Sequence, residues 1–119
     1  MKKTVLIVDD SHFMRNYLKN ILNSDTFRVI GEAANGCEAV RQYMKVRPDV
    51  VLMDVTMPIL TGIEALKKII AFDAKANVVM CSSIGSRLAI IQAINIGARD
   101  FIVKPYLHNL NNILANTFK

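Results

Sequence analysis

"VLIVDDSHFMR", residues 5–15, runs four apolar residues straight into two adjacent carboxylates, Asp9 and Asp10. A helix-like pattern follows at once: Phe13, Tyr17 and Ile21 lie four apart, with Met14, Leu18 and Leu22 beside them, which predicts an amphipathic helix over 12–23. The short β-branched run before the acids, "TVLIV" at 4–8, predicts a strand. Neighbouring carboxylates repel and resist burial. Their place at the end of a core strand therefore calls for a compensating positive charge.

The same strand-then-helix alternation recurs along the chain. "RVIGEA" (28–33) reads as a weaker strand, and Asn35 with Glu38 three later starts a helix that should stop before Pro48. "VVLMD" (50–54) is a buried-type strand. "TGIEALKKII" opens with Thr61 and Glu64 in capping-box spacing and carries Ile63, Leu66 and Ile70 on one face. "NVVMCS" (77–82) is the fourth strand, and a helix over 86–96 ends at Gly97. "DFIV" (100–103) is the fifth, and Leu107, Leu110, Leu114 and Phe118 stripe a final helix. Strands that are apolar throughout and joined by helices predict a parallel sheet covered on both faces.

At 119 residues, 52% of them apolar, the chain suits one globular domain spanning 1–119, with no repeat, linker or output domain expected. This composition excludes intrinsic disorder. No apolar run reaches the length of a membrane span, and "MKKTVLIVDD" is too short in its apolar part for a signal peptide. Cys37 and Cys81 lack metal-type spacing and read as free thiols of a reducing cytosol. The net charge of +5 comes from lysines and arginines scattered between Lys2 and Lys119, which predicts a solvated basic surface and no nucleic-acid partner.

In open α/β sheets, ligands bind beyond the carboxyl ends of the strands. Asp9 and Asp10 end the first strand, Asp54 the third and Ser82 the fourth, and Lys104 follows the fifth. If those strands are neighbours, all five residues meet on one rim. Crowded carboxylates raise one another's pKa, and a hard divalent cation such as Mg²⁺, with the Lys104 ammonium, removes the conflict. Carboxylate, cation and ammonium together make a phosphoryl-transfer site. Asp54 stands alone at its strand end before the turn-making "VTMP", which makes it the expected nucleophile.

"LIVDDS", "VVLMDVTMP", "TGIEAL", "VVMCSS" and "GARDFIVKP" follow one another in an order and spacing that resemble the receiver domain of two-component response regulators, over the whole chain. In length and detail the chain is most similar to the stand-alone receivers of chemotaxis. The resemblance implies a flavodoxin-like, doubly wound five-stranded parallel sheet of order 2-1-3-4-5 with five helices. It implies that Asp54 is the phosphoacceptor, and that Asp10, Asp54 and the backbone carbonyl of Thr56 hold Mg²⁺, with Asp9 acting through water. Ser82 and Lys104 would then engage the phosphoryl group, the Lys104–Pro105 bond would be cis, and Phe101 would fill an aromatic switch position. A cytoplasmic monomer is expected, phosphorylated by a sensor histidine kinase and signalling to a flagellar motor switch protein or another output protein. A phosphatase partner is possible within that scheme, and a membrane partner is not expected. The chain would catalyse only its own phosphotransfer and dephosphorylation.

Leu88, Ile90, Ile91, Ile94 and Ile96 on the fourth helix point in too many directions for one buried stripe, so Ile90, Ile94, Phe101 and Tyr106 are expected to form a partner face. Thr56 and Ile84 stand where related chains often carry polar groups able to orient water, which predicts slow self-dephosphorylation. Three rival readings remain. A phosphorelay shuttle or phosphate sink would share the fold and the site. A flavin-binding domain is disfavoured because acids replace a hydroxyl-rich phosphate loop. An aspartyl phosphatase is disfavoured because Thr56 occupies the position of its second aspartate.

Overall fold

The computed structural model describes residues 2–83, 85–104 and 107–119. Its elements alternate as the patterns predict: β1 (Lys3–Val8), α1 (His12–Ile21), β2 (Phe27–Ala33), α2 (Gly36–Val46), β3 (Val50–Met53), α3 (Gly62–Phe72), β4 (Val78–Ser82), α4 (Arg87–Ile96), β5 (Asp100–Val103) and α5 (Leu110–Asn116). The strands form one parallel sheet in the order β2-β1-β3-β4-β5. The expected flavodoxin-like topology is therefore present.

Side-chain alternation along the strands divides the core in two. Leu6, Val8, Val51, Met53, Val78 and Met80 meet Tyr43 of α2, Leu66 and Ile69 of α3 and Ala93 of α4. Val5, Ile7, Val50, Leu52, Val79 and Cys81 meet Leu18 of α1 and Leu110 and Leu114 of α5. Both faces are covered, so the central strands carry no polar side: every residue of β3 and β4 is buried. Cys81 lies in that interior as a free thiol, its pKa pushed up to about 11 by burial, while Cys37 is a free thiol at the surface.

The helix starts follow from single side chains. Ser11, Asn35, Thr61 and Ser86 each accept a hydrogen bond from the backbone N–H three residues on. Glu38 reaches back as well, but to the N–H of Ala34 at 2.8 Å, one residue before the cap. Boundaries shift slightly from expectation. Helix α1 stops at Ile21, Asn77 lies outside β4, and Leu107 is buried ahead of α5 without belonging to it. On β2 the pairing with β1 jumps from Val29 to Gly31, a bulge in the strand whose pattern was weakest.

Candidate functional site

The sheet order places the carboxyl ends of β1 and β3 side by side. Val8 pairs with Met53, and the backbone N–H of Asp54 donates to the Val8 carbonyl at 2.9 Å. On the other flank, the Asp9 N–H donates to Ala33 at the end of β2. Asp9 and Asp54 are thus delivered to the same rim by neighbouring ladders, and Asp10 follows in the β1–α1 loop. One carboxylate oxygen from each of Asp9, Asp10 and Asp54 lies within 4.8 Å of the other two.

Lys104 comes from the far side of the same rim. Its backbone N–H donates to the Ser82 carbonyl at 2.8 Å, continuing the pairing of β4 with β5 past Val103. From there its ammonium reaches Asp9 Oδ2 at 2.7 Å and Asp54 Oδ1 at 3.7 Å. Burial on its own would lower the Lys104 pKa, but the Asp9 and Asp54 carboxylates outweigh it and hold the ammonium above its ordinary value. Asp54 feels the opposite balance. Burial raises its pKa, Lys104 works against that rise, and Asp9 and Asp10 add to it. Asp54 is therefore a carboxylate short of positive charge.

Asp9 is nearly saturated. One of its oxygens accepts from the Ser11 N–H at 2.9 Å and the other from Lys104, and the residue is buried. Asp10 is exposed, and Asp54 is buried at the bottom of the crevice. Three acids offering only oxygen donors make a set suited to a hard divalent cation. The residues present fit such an ion.

Ser82 is buried at the end of β4, beside Lys104 along the backbone. Thr56 lies exposed in the β3–α3 loop. Phe101, opposite Met80 on β5, is half-buried against the core under α2–α4. On α4, Ile94 is 44% exposed and Ile90 is half-buried, whereas Leu88 is 80% and Ile91 46% exposed. The apolar surface of α4 is thus centred elsewhere than Ile90. Tyr106, Ile84 and the Lys104–Pro105 bond lie outside the described residues.

Sequence reasoning missed three residues that build the site without touching its chemistry. The Arg15 guanidinium donates to the Asp9 backbone carbonyl at 2.6 Å and to Glu32 at 3.0 Å, pinning the β1–α1 turn to β2. A side chain added at Gly62 would sit 1.9 Å from the Asp54 carbonyl oxygen, and one at Gly36 2.3 Å from that of Leu60. These glycines let α3 and α2 close on the loop that carries Asp54. The signal was present in "TGIEAL" and "NGCEAV", but nothing in the sequence says what each glycine touches.

Residues 5–116 match the family model described as the response regulator receiver domain. The chain is 50% identical over 106 residues to the chemotaxis protein CheY of Thermotoga maritima, covering 89% of this chain and 88% of that protein. It is 51% identical over 102 residues to CheY of Listeria monocytogenes, covering 86% of each. A chain in the crystal structure of the CheX-CheY-BeF3-Mg+2 complex from Borrelia burgdorferi superposes with a TM-score of 0.94 at 38% identity, covering 98% of this chain and 90% of that one.

Proposed function

The chain belongs to the response regulator receiver domain family, and from that premise we propose that it is a CheY-type switch phosphorylated on Asp54 by a chemotaxis histidine kinase. The observation that carries this reading is the Lys104 ammonium held between Asp9 and Asp54 in a crevice of three acids. A carboxylate oxygen of Asp54 attacks the phosphorus of a phosphohistidine. The P–N bond breaks and its electron pair returns to the imidazole. Asp10, Asp54 and the Thr56 carbonyl would hold Mg²⁺, with Asp9 engaged through water. That ion supplies positive charge against the phosphoryl oxygens.

The new dianion competes with Asp9 for the Lys104 ammonium and draws the Ser82 hydroxyl toward it. Charge-assisted hydrogen bonds of this kind contribute roughly 1.5–3 kcal/mol each. Two of them are enough to shift a two-state element substantially. The element is the β4–α4 loop together with Phe101, and its readout is the surface of α4, β5 and α5, with Ile90, Ile94, Phe101 and Tyr106 as contacts for a flagellar motor switch protein. The Borrelia relative is held in a complex with CheX, and a partner of that kind is a second candidate for this surface. A cytoplasmic location follows from this role; among the described residues no helix is long and apolar enough to cross a membrane.

The test is incubation with a small phosphodonor and Mg²⁺, comparing the natural chain with Asp54→Asn. Label that is lost to hydroxylamine and appears only on the natural chain supports the proposal. Equal labelling of the variant removes it. With no polar side chain at Thr56 beyond its hydroxyl, self-dephosphorylation should take minutes or longer.

A further inference from the structure

Helices α3 and α4 leave a groove between them whose one end opens onto the β3–α3 loop that carries Thr56. Two adjoining hollows of about 660 and about 570 Å³ share Lys67 of α3 and Gln92 of α4. The residues of α4 that line the second hollow, Leu88, Ile91, Gln92, Asn95 and Ile96, follow the spacing of a single helix face. Leu88 and Ile91 are among the most exposed apolar side chains of α4. This stripe turns toward α3, away from the α4–β5–α5 surface. Helix α4 is seated on α3 at its C-terminal end, where a side chain at Gly97 would meet Ile70 Cδ1 at 3.2 Å.

Charge decides what fits. Helix α3 carries Lys67 and Lys68 against the single acid Glu64, and α4 adds Arg87 and no acid. Of these, Lys67, Lys68 and Glu64 line the hollows, two cations against one anion. Neither Lys67 nor Lys68 lies within ion-pair distance of a carboxylate among the described residues. A second copy of this chain, with its net charge of +5, is repelled from such a groove.

We infer that the α3–α4 groove is a docking site for an acidic amphipathic helix of a partner protein, its apolar stripe on Leu88 and Ile91 and its carboxylates on Lys67 and Lys68. Ten residues of α4 present a trough about 15 Å long, enough for close to three turns of a third helix. The groove offers a contact for a partner distinct from the one that reads the switch.

The probe is a synthetic peptide of about 18 residues, with leucines on one helical face and glutamates on the other. It is titrated into the intact unphosphorylated chain and followed by amide chemical-shift mapping, beside a control peptide with lysine for every glutamate. Shifts confined to α3 and α4 with the glutamate peptide, and none with the lysine peptide, are expected. The double variant Lys67→Glu/Lys68→Glu should weaken the glutamate peptide roughly tenfold or more and admit the lysine peptide. Equal response to both peptides, or shifts centred on β5 and α5, overturns the proposal. Self-association of the free chain through the groove overturns it too, in favour of a second copy. If the double variant fails to fold, the contrast between the two peptides on the natural chain still decides.

Discussion

Ile59 adopts φ +70° at the centre of a tight turn in which the Leu60 N–H donates to the Pro58 carbonyl at 2.8 Å. A β-branched residue in that region is strained, and this one is 80% exposed, so no burial offsets the cost. Ile59→Gly should therefore stabilise the fold by about 1 kcal/mol, the relief of a left-handed conformation less the extra flexibility of the unfolded chain. Urea denaturation checks it; an unchanged or lower midpoint would mean the strain is absent. Gly62 makes the opposite case. Its neighbour is the Asp54 carbonyl, a backbone atom that cannot rotate away. Gly62→Ala should cost roughly 1–3 kcal/mol and slow phosphorylation by displacing Asp54. The same denaturation curve measures the first, and the labelling rate with a small phosphodonor measures the second.

Among elements, α2 and α3 are joined near their C-terminal ends by the Tyr43 hydroxyl, which donates to Asp73 Oδ2 at 2.8 Å. The Tyr43 ring stands edge-on to Phe72, and the Arg47 guanidinium lies over the other ring at 5.0 Å. The Tyr43 hydroxyl holds the Asp73 carboxyl below its ordinary value, and burial with the Asp73 charge pushes the Tyr43 phenol up. A carboxyl lowered in the folded state contributes stability that is fully present above its unfolded pKa and is lost as pH falls through the folded one. Part of the acid limb of the stability curve, below about pH 4, should therefore belong to Asp73. Tyr43→Phe removes the donor, so its loss of stability relative to the natural chain should shrink toward zero as the pH falls. Parallel curves for the two chains at pH 7 and pH 3 would rule this out.

For the whole molecule, folding brings three acids together from two strand ends, and among the described residues one ammonium answers them. The folded state should accordingly bind Mg²⁺ while the unfolded chain does not, and binding then adds stability by mass action. At a hundredfold excess over Kd the gain is about 2.7 kcal/mol. It should be largely lost in Asp10→Asn, whose exposed side chain contributes little else to the fold. Thermal melts of both chains with and without the ion check it. Equal Mg²⁺ shifts in the two, or none in either, would contradict the assignment of this crevice as a cation site.

The alternation of buried strands with capped amphipathic helices is legible residue by residue, because period and capping are local properties of the chain. The strand-end positions of Asp9, Asp54, Ser82 and Lys104 follow from the same reading. Only the tertiary structure decides that these ends are neighbours, since strand order depends on which ladders pair across the sheet. It alone shows that Asp9 is already satisfied by Ser11 and Lys104, that Arg15 reaches around to the Asp9 carbonyl, and that Gly62 abuts Asp54. The direction of the apolar stripe on α4 also belongs to this level. Leu88, Ile90, Ile91 and Ile94 are equally hydrophobic in sequence, and the seat of α4 on α3 determines which of them face water.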